Sequence, residues 1–233
     1  MALAYCLDYI GSNKPARVTN YGEFLDKSPP RFEVQIIENS SWSCAHGVER
    51  WRSNCGCSST QVAGSSQAWR RPLRDAMNWL RDKLATLYET EASRYLLDPW
   101  KARDEYISVT LDQREGVADR FITGHLKTGR LKDRAGLVLD LLEMQRYAML
   151  MFTSCGWFWD EVSRIETVQI LRYAARAMQL ARSASGAYLE PQFVRMIEAA
   201  PSNNPRLLDG GGVYQMLVRP AVVENVGRHK GAL

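Results

Sequence analysis

Between Ser40 and Cys57 the chain gathers an unusual density of reactive and aromatic side chains: Trp42, Cys44, His46, Glu49, Arg50, Trp51, Cys55 and Cys57, with small residues at Ala45, Gly47 and Gly56. Two chemistries fit such a set. Cys44, His46, Cys55 and Cys57 offer three thiolates and an imidazole in the spacing C-x-H-x8-C-x-C. Zinc takes four such N and S donors in a tetrahedron. The spacing is not that of the usual zinc fingers, whose ligand pairs are separated by two or more residues. The competing reading is of reduced cysteines packing a tight turn as small hydrophobes, with Gly56 allowing the bend. A thiol nucleophile paired with His46 has only nearness in sequence behind it. The tryptophans point to the second chemistry. An indole lays a flat apolar face against the C–H face of a sugar ring, while neighbouring polar groups bond the hydroxyls.

A second aromatic group, Trp157-Phe158-Trp159, follows the break Thr153-Ser154-Cys155-Gly156. On a helix Trp157 and Trp159 point to different sides, so at most one of them reaches a ligand. Core packing is the ordinary alternative for every tryptophan. The carboxylates in unusual settings are Glu23, Glu38, Glu49, Asp160 and Glu161. Glycoside hydrolysis needs two carboxyl groups flanking one bond, and nothing in the spacing brings two of these together. A free-standing enzyme built on Glu23 with Asp160 or Glu161 is therefore the weakest reading.

The elements that position these residues are mostly helices. Trp69, Leu73, Ala76, Met77, Leu80, Leu84, Leu87 and Tyr88 recur at helical spacing on one stripe. Asp98-Pro99 is an N-cap followed by proline in the first turn, and opens a helix with the stripe Trp100, Tyr106, Ile107 and Leu111. A third helix carries Leu137 to Phe152, and a fourth runs from about Asp160 to Ala184 and stops at Gly186. Pro191 starts a shorter helix through Ala200. Gly210-Gly211-Gly212 reads as a flexible hinge before a last helical segment, Val213 to Val226, broken at Pro220. At the other end, Tyr5, Leu7 and Ile10 make a brief helix ending at Gly11. Turn-rich chain follows, and then Phe32, Val34 and Ile36 alternate with Glu33 and Gln35 as in a half-buried strand. The expected fold class is mainly α, a helical bundle with a short N-terminal α/β segment. The expected division is 1–57 for that segment with its Trp/Cys/His-rich loop, and 58–233 for the bundle.

With 233 residues, 45% hydrophobic and 24% charged, the composition is that of an ordinary globular domain. The net charge of +4 is spread over many segments, which argues against nucleic-acid binding. Five cysteines leave at least one unpaired, and neither a signal peptide nor a membrane span is discernible. A cytoplasmic location is expected.

Three stretches carry a likeness to a known family: Arg17-Val18-Thr19-Asn20-Tyr21-Gly22-Glu23-Phe24-Leu25, Ser40-Ser41-Trp42-Ser43-Cys44-Ala45-His46-Gly47-Val48-Glu49-Arg50-Trp51 and Met151-Phe152-Thr153-Ser154-Cys155-Gly156-Trp157-Phe158. Together they resemble the C-terminal domain of unknown function of certain bacterial family 57 glycoside hydrolases, the α-amylase/α-mannosidase-like enzymes. The likeness runs from about Ala2 to Val226, through Asp98-Pro99-Trp100 and Val218-Arg219-Pro220-Ala221-Val222. It implies a parent acting on α-linked glucans through a retaining two-carboxylate mechanism, with an incomplete barrel as the catalytic part and a helical bundle closing the cleft. In that family a Ser-Ser-Trp segment and a Ser-Asp-Trp segment lie near the substrate. They look like Ser40-Ser41-Trp42 and Ser154-Cys155-Gly156-Trp157 here, the second with Cys-Gly where one Asp would stand. The Asp-Gly-Glu acid/base motif is absent. The resemblance thus implies an accessory, cleft-completing helical region that keeps the bundle, lacks the barrel and is inactive alone. Trp42, His46, Glu49, Arg50 and Trp157 are the expected contacts to an α-glucan or related oligosaccharide, and a catalytic barrel domain or chain is the expected protein partner. The alternative function is a zinc-stapled helical interaction module without carbohydrate activity.

Overall fold

The computed structural model describes residues 1–59, 64–127 and 134–221. Among these the chain is mainly helical, with no strand. The fold class is mainly α, as the periodicity indicates.

Three helices form the core. Helices α3 (Arg70–Ala92), α7 (Ala135–Leu150) and α9 (Ile165–Ser185) pack on one another pairwise. The α3 stripe is buried as its spacing predicts, with Trp69 just before the helix and Leu73, Ala76, Met77, Leu80, Leu84 and Tyr88 all inside. On α9 the buried face is rich in alanine (Ala174, Ala175, Ala177, Ala181), which lets the larger Val138, Leu141, Leu142 and Met144 of α7 approach closely. Gln145, in the apolar stripe of α7, donates its amide to the Leu84 carbonyl at 3.0 Å and so binds α7 to α3.

Smaller elements seal this core. Helix α4 (Pro99–Glu105) starts where Asp98 accepts from the Lys101 N–H at 3.0 Å, the cap that its sequence announces. The helix ends at Tyr106, however, and α5 (Ile107–Leu111) and α6 (Val117–His125) follow. Ile107 and Leu111 are consequently exposed, and the expected stripe stops at Tyr106. The fourth helix starts at Ile165, later than expected, because residues 159–164 form a turn that the buried Asp160 holds in place. Gly186 ends α9 in the left-handed conformation (φ 78°) and bonds back to Arg182. Helix α10 (Glu190–Ile197) follows, with proline in its first turn.

The glycine triplet is not a hinge. Gly210–Val213 is a helical turn, α11, whose Gly210 and Gly211 are buried and whose Gly212 N–H is capped by Asp209 at 2.9 Å. A Cβ on Gly212 would lie 2.0 Å from the Leu207 carbonyl oxygen, so the triplet serves close packing and not flexibility. A π turn over Tyr214–Val218 and a 3-10 turn over Arg219–Ala221 continue it. The rest of the expected last helix, to Val226, lies outside the described residues, as does part of the polar loop 58–67.

By compactness the chain divides between Glu38 and Asn39, so the Trp/Cys/His loop goes with the helices. The first unit holds α1 (Ala2–Asn13), which continues through Gly11, and α2 (Tyr21–Lys27). Helix α2 lies in what the sequence presents as turn-rich chain, although Asn20 and Glu23 stand at capping spacing and the Asn20 side chain accepts from the Glu23 N–H at 2.9 Å. The expected strand at 31–37 is not formed. This segment has no ladder, and Phe32, Val34, Ile36 and Ile37 are exposed. Period-two alternation marks what a strand would bury, but a strand exists only beside a partner strand. No residue of 1–38 is buried.

Where α8 (Cys155–Phe158) meets α9, a Cβ on Gly156 would fall 2.4 Å from Cγ2 of Ile170, and Thr167 donates to the Gly156 carbonyl at 2.8 Å. Gly156→Ala should therefore destabilise the fold by about 1–3 kcal/mol, as overpacking does, measured by urea unfolding. An unchanged midpoint would show that the contact relaxes freely.

Candidate metal centre

Tight turns and a hydrogen bond shape the loop 39–57. Asn39 takes a left-handed φ of 56°, and Ser41 Oγ donates to the Gly47 carbonyl at 2.8 Å, closing the segment on itself. Gly47 has φ 73°, and a Cβ there would meet the Asn39 carbonyl oxygen at 2.3 Å. Only glycine fits. A 3-10 turn, Glu49–Trp51, then directs Arg50 inward. Gly56, with φ 75°, turns the chain between Cys55 and Cys57.

These bends bring four ligand atoms together. One donor atom each from Cys44, His46, Cys55 and Cys57 lies within 4.8 Å of the others. A tetrahedral zinc with bonds near 2.3 Å to sulfur holds its donors about 3.8 Å apart, so the cluster closes on an ion with small side-chain adjustments. The Cys57 thiol and His46 Nδ1 are already 3.5 Å apart. Cys44 is buried while His46 lies on the solvent side, so the cluster is anchored from within and open to entry from without. Burial pushes the Cys44 thiol up. The backbone at His46 and Arg50 and the side chains of His46 and Cys55 outweigh it, bringing the thiol down to about 7. Cys55 is raised by burial and by its neighbour Cys44. All five cysteines are free of disulfides, and the four residues can hold a metal ion.

The loop is fastened to the helical core beside this cluster. The Arg50 guanidinium donates to the Phe158 carbonyl at 2.9 Å and the Cys57 carbonyl at 2.7 Å, and lies 4.4 Å from the Phe158 ring centre. Arg70, from the first turn of α3, donates to the same Phe158 carbonyl at 2.9 Å, to Trp159 at 2.8 Å and to Gln67 at 2.8 Å. Its guanidinium also stands 3.6 Å from the Cys55 sulfur. Asp160 accepts from Ser58 Oγ at 2.8 Å, the Ser59 N–H at 2.9 Å and Gln67 Nε2 at 2.8 Å. Trp51 donates its indole N–H to the Ser154 carbonyl at 3.1 Å.

The expected sugar contacts separate on this geometry. Trp42 is 94% exposed, its ring 6.3 Å from that of Phe158. His46 belongs to the ligand cluster. Glu49 accepts from Ser53 Oγ, and Arg50, 3% exposed, is spent on carbonyls of the loop and α8. Trp157 is fully buried, stacked between Trp69 and Phe152 with its N–H on the Met151 carbonyl. It is a core residue and presents no face to a ligand, as alternation with Trp159 along the chain permits. Asp160 and Glu161 are likewise engaged. Glu161 accepts from Ser202 Oγ at 2.6 Å and the Asn203 N–H at 2.7 Å, and Glu23 is held by Thr19, Lys27 and Arg17. Arg70 and Gln67 are the site residues that sequence reasoning missed. Their signal was slight: an arginine in a helix that otherwise shows a plain amphipathic stripe.

Removing one partner of a buried charge network leaves the other charges uncompensated, at a cost of about 3–5 kcal/mol. Asp160→Ala should cost on that order in urea unfolding, and Asp75→Ala, on the exposed face of α3, should change the midpoint little. Equal effects from the two would contradict the network.

No curated protein and no solved structure matches the chain. Among the described residues no helix is long and apolar enough to cross a membrane. A family model does match, over residues 66–230, which span α3 and every element after it. The chain belongs to the family described as "Domain of unknown function (DUF3536)".

Proposed function

We propose that this chain is the accessory, cleft-completing helical region of a family 57-like glycoside hydrolase acting on α-linked glycans, with no catalytic carboxylates of its own. A structural zinc on Cys44, His46, Cys55 and Cys57 would staple its glycan-facing loop. The observation that carries the reading is the placement of Trp42. Its indole is almost wholly in solvent beside Phe158, on a loop closed by Ser41, Gly47 and the Cys/His cluster. A rigid aromatic plate of this kind suits the apolar face of a sugar, because little side-chain entropy is lost on binding. The resemblance of Ser40-Ser41-Trp42 to the substrate-lining segment of the family 57 enzymes supports the same assignment.

The first unit favours a protein partner as well. A segment of 38 residues with none buried cannot sustain its own core. Phe32, Val34, Ile36 and Ile37 are exposed in a segment that forms no strand, and the barrel domain expected from the resemblance would cover them. The alternative, a zinc-stapled interaction module without carbohydrate activity, shares the metal and differs in the ligand of Trp42.

Calorimetric titration with maltoheptaose separates the two. Under the first reading the chain binds the oligosaccharide without hydrolysing it, and Trp42→Ala weakens binding about tenfold, or about 1.4 kcal/mol. Hydrolysis by the chain alone, or binding indifferent to Trp42, would contradict it. Absence of binding would favour the interaction module.

A further inference from the structure

Among the described residues the buried charged side chains are Arg50, Arg70 and Asp160, at 3%, 0% and 2% exposure. All three sit in the junction that fastens the loop to α3 and α8, and they do not balance: two cations face one carboxylate. Their hydrogen bonds do not remove the imbalance, since the partners of both guanidinium groups there are mostly carbonyl oxygens, which carry no formal charge. The Nε–H of each arginine is buried without a partner. Arg70 approaches Asp160 only to 4.0 Å, while its other side lies 3.6 Å from the Cys55 sulfur. An uncompensated charge in such a place is costly, and both groups stay protonated.

The missing negative charge lies in the Cys/His cluster. Three thiolates, one neutral imidazole and one divalent ion together carry a net charge of −1, the amount by which the two arginines exceed Asp160. A monovalent ion such as Cu(I) would make the centre −2, and a trivalent one would make it neutral. Either would leave the junction charged. We infer that the cluster and the buried arginine pair form one electrostatic unit, in which a divalent thiophilic cation is selected by charge and Arg70 holds the metal centre as its counter-ion. Arg70 is thus a positioning residue that acts through Cys55. The inference rests on the zinc reading above and adds to it the residue that tunes the affinity of the site.

The test is zinc affinity, measured on the reduced full chain by competition of zinc chloride against a chromophoric chelator. Cobalt(II) absorption reports whether the tetrahedral thiolate site is assembled. Loss of an outer-sphere partner typically weakens metal binding about ten- to a hundredfold. Arg70→Gln should fall in that range with an unaltered cobalt spectrum, and Arg70→Lys, which keeps the charge, should fall less. Arg70→Gln binding zinc as tightly as wild type would overturn the inference while leaving the metal site intact. Failure of wild type to bind zinc would remove the site itself. Should Arg70→Gln not fold, the half-buried Cys57 addresses the same question, because aspartate and histidine both ligate zinc. Cys57→Asp keeps the centre at −1 and Cys57→His makes it neutral. The aspartate variant should retain the larger zinc-dependent rise in Tm, and the opposite order would refute the charge match.

Discussion

The carbonyl oxygen of Phe158 accepts from two buried guanidinium groups, Arg50 at 2.9 Å from the Cys/His-rich loop and Arg70 at 2.9 Å from the start of α3. Helix α8 ends there, so its terminal carbonyls are unsatisfied and turn toward cations. The rest of the junction follows from that arrangement. Asp160 must be buried to offset the positive charge, Gln67 must bridge Asp160 and Arg70, and Cys57 must offer its carbonyl to Arg50. With the loop tied at these points, Cys44, His46, Cys55 and Cys57 have little freedom to be anywhere but together.

The same fastening explains how a chain with a plain helical core presents a specific surface. The α3, α7 and α9 packing is generic, with leucine and alanine faces meshing around Trp69 and Trp157. The distinctive groups stand on the loop, and their rigidity is borrowed from the core through Trp51, Arg50 and Arg70. Trp42 can stay exposed and still be well placed, because Ser41 and Gly47 fix its backbone.

Much of this was legible in the residues. Helical periodicity placed the buried face of α3 and most of that of α7, and Asp98-Pro99 and Gly186 marked helix ends through local backbone chemistry that needs no tertiary context. The mixture of Cys, His and Gly located the candidate metal centre, because ligands brought together by short turns are near in sequence as well as in space. What failed were readings that depend on distant neighbours. Trp157 looked available but fills the core. The glycine triplet looked flexible but packs against Leu207 and Ile197, and the alternating segment at 31–37 has no strand beside it. Arg70 and Gln67 are not legible in the sequence because pairing with Asp160, some 90 residues away, leaves no local trace.

The proposed zinc centre would complete the fastening that the two arginines begin. Elemental analysis of the purified, reduced chain tests it most directly, combined with thiol titration before and after a strong chelator. The account predicts about one zinc per chain and only Cys6 and Cys155 titrating freely at first. Cys44, Cys55 and Cys57 should join them once the metal is withdrawn, because thiolates bound to the ion are released with it. A metal-free chain with all its thiols reactive from the outset would contradict it.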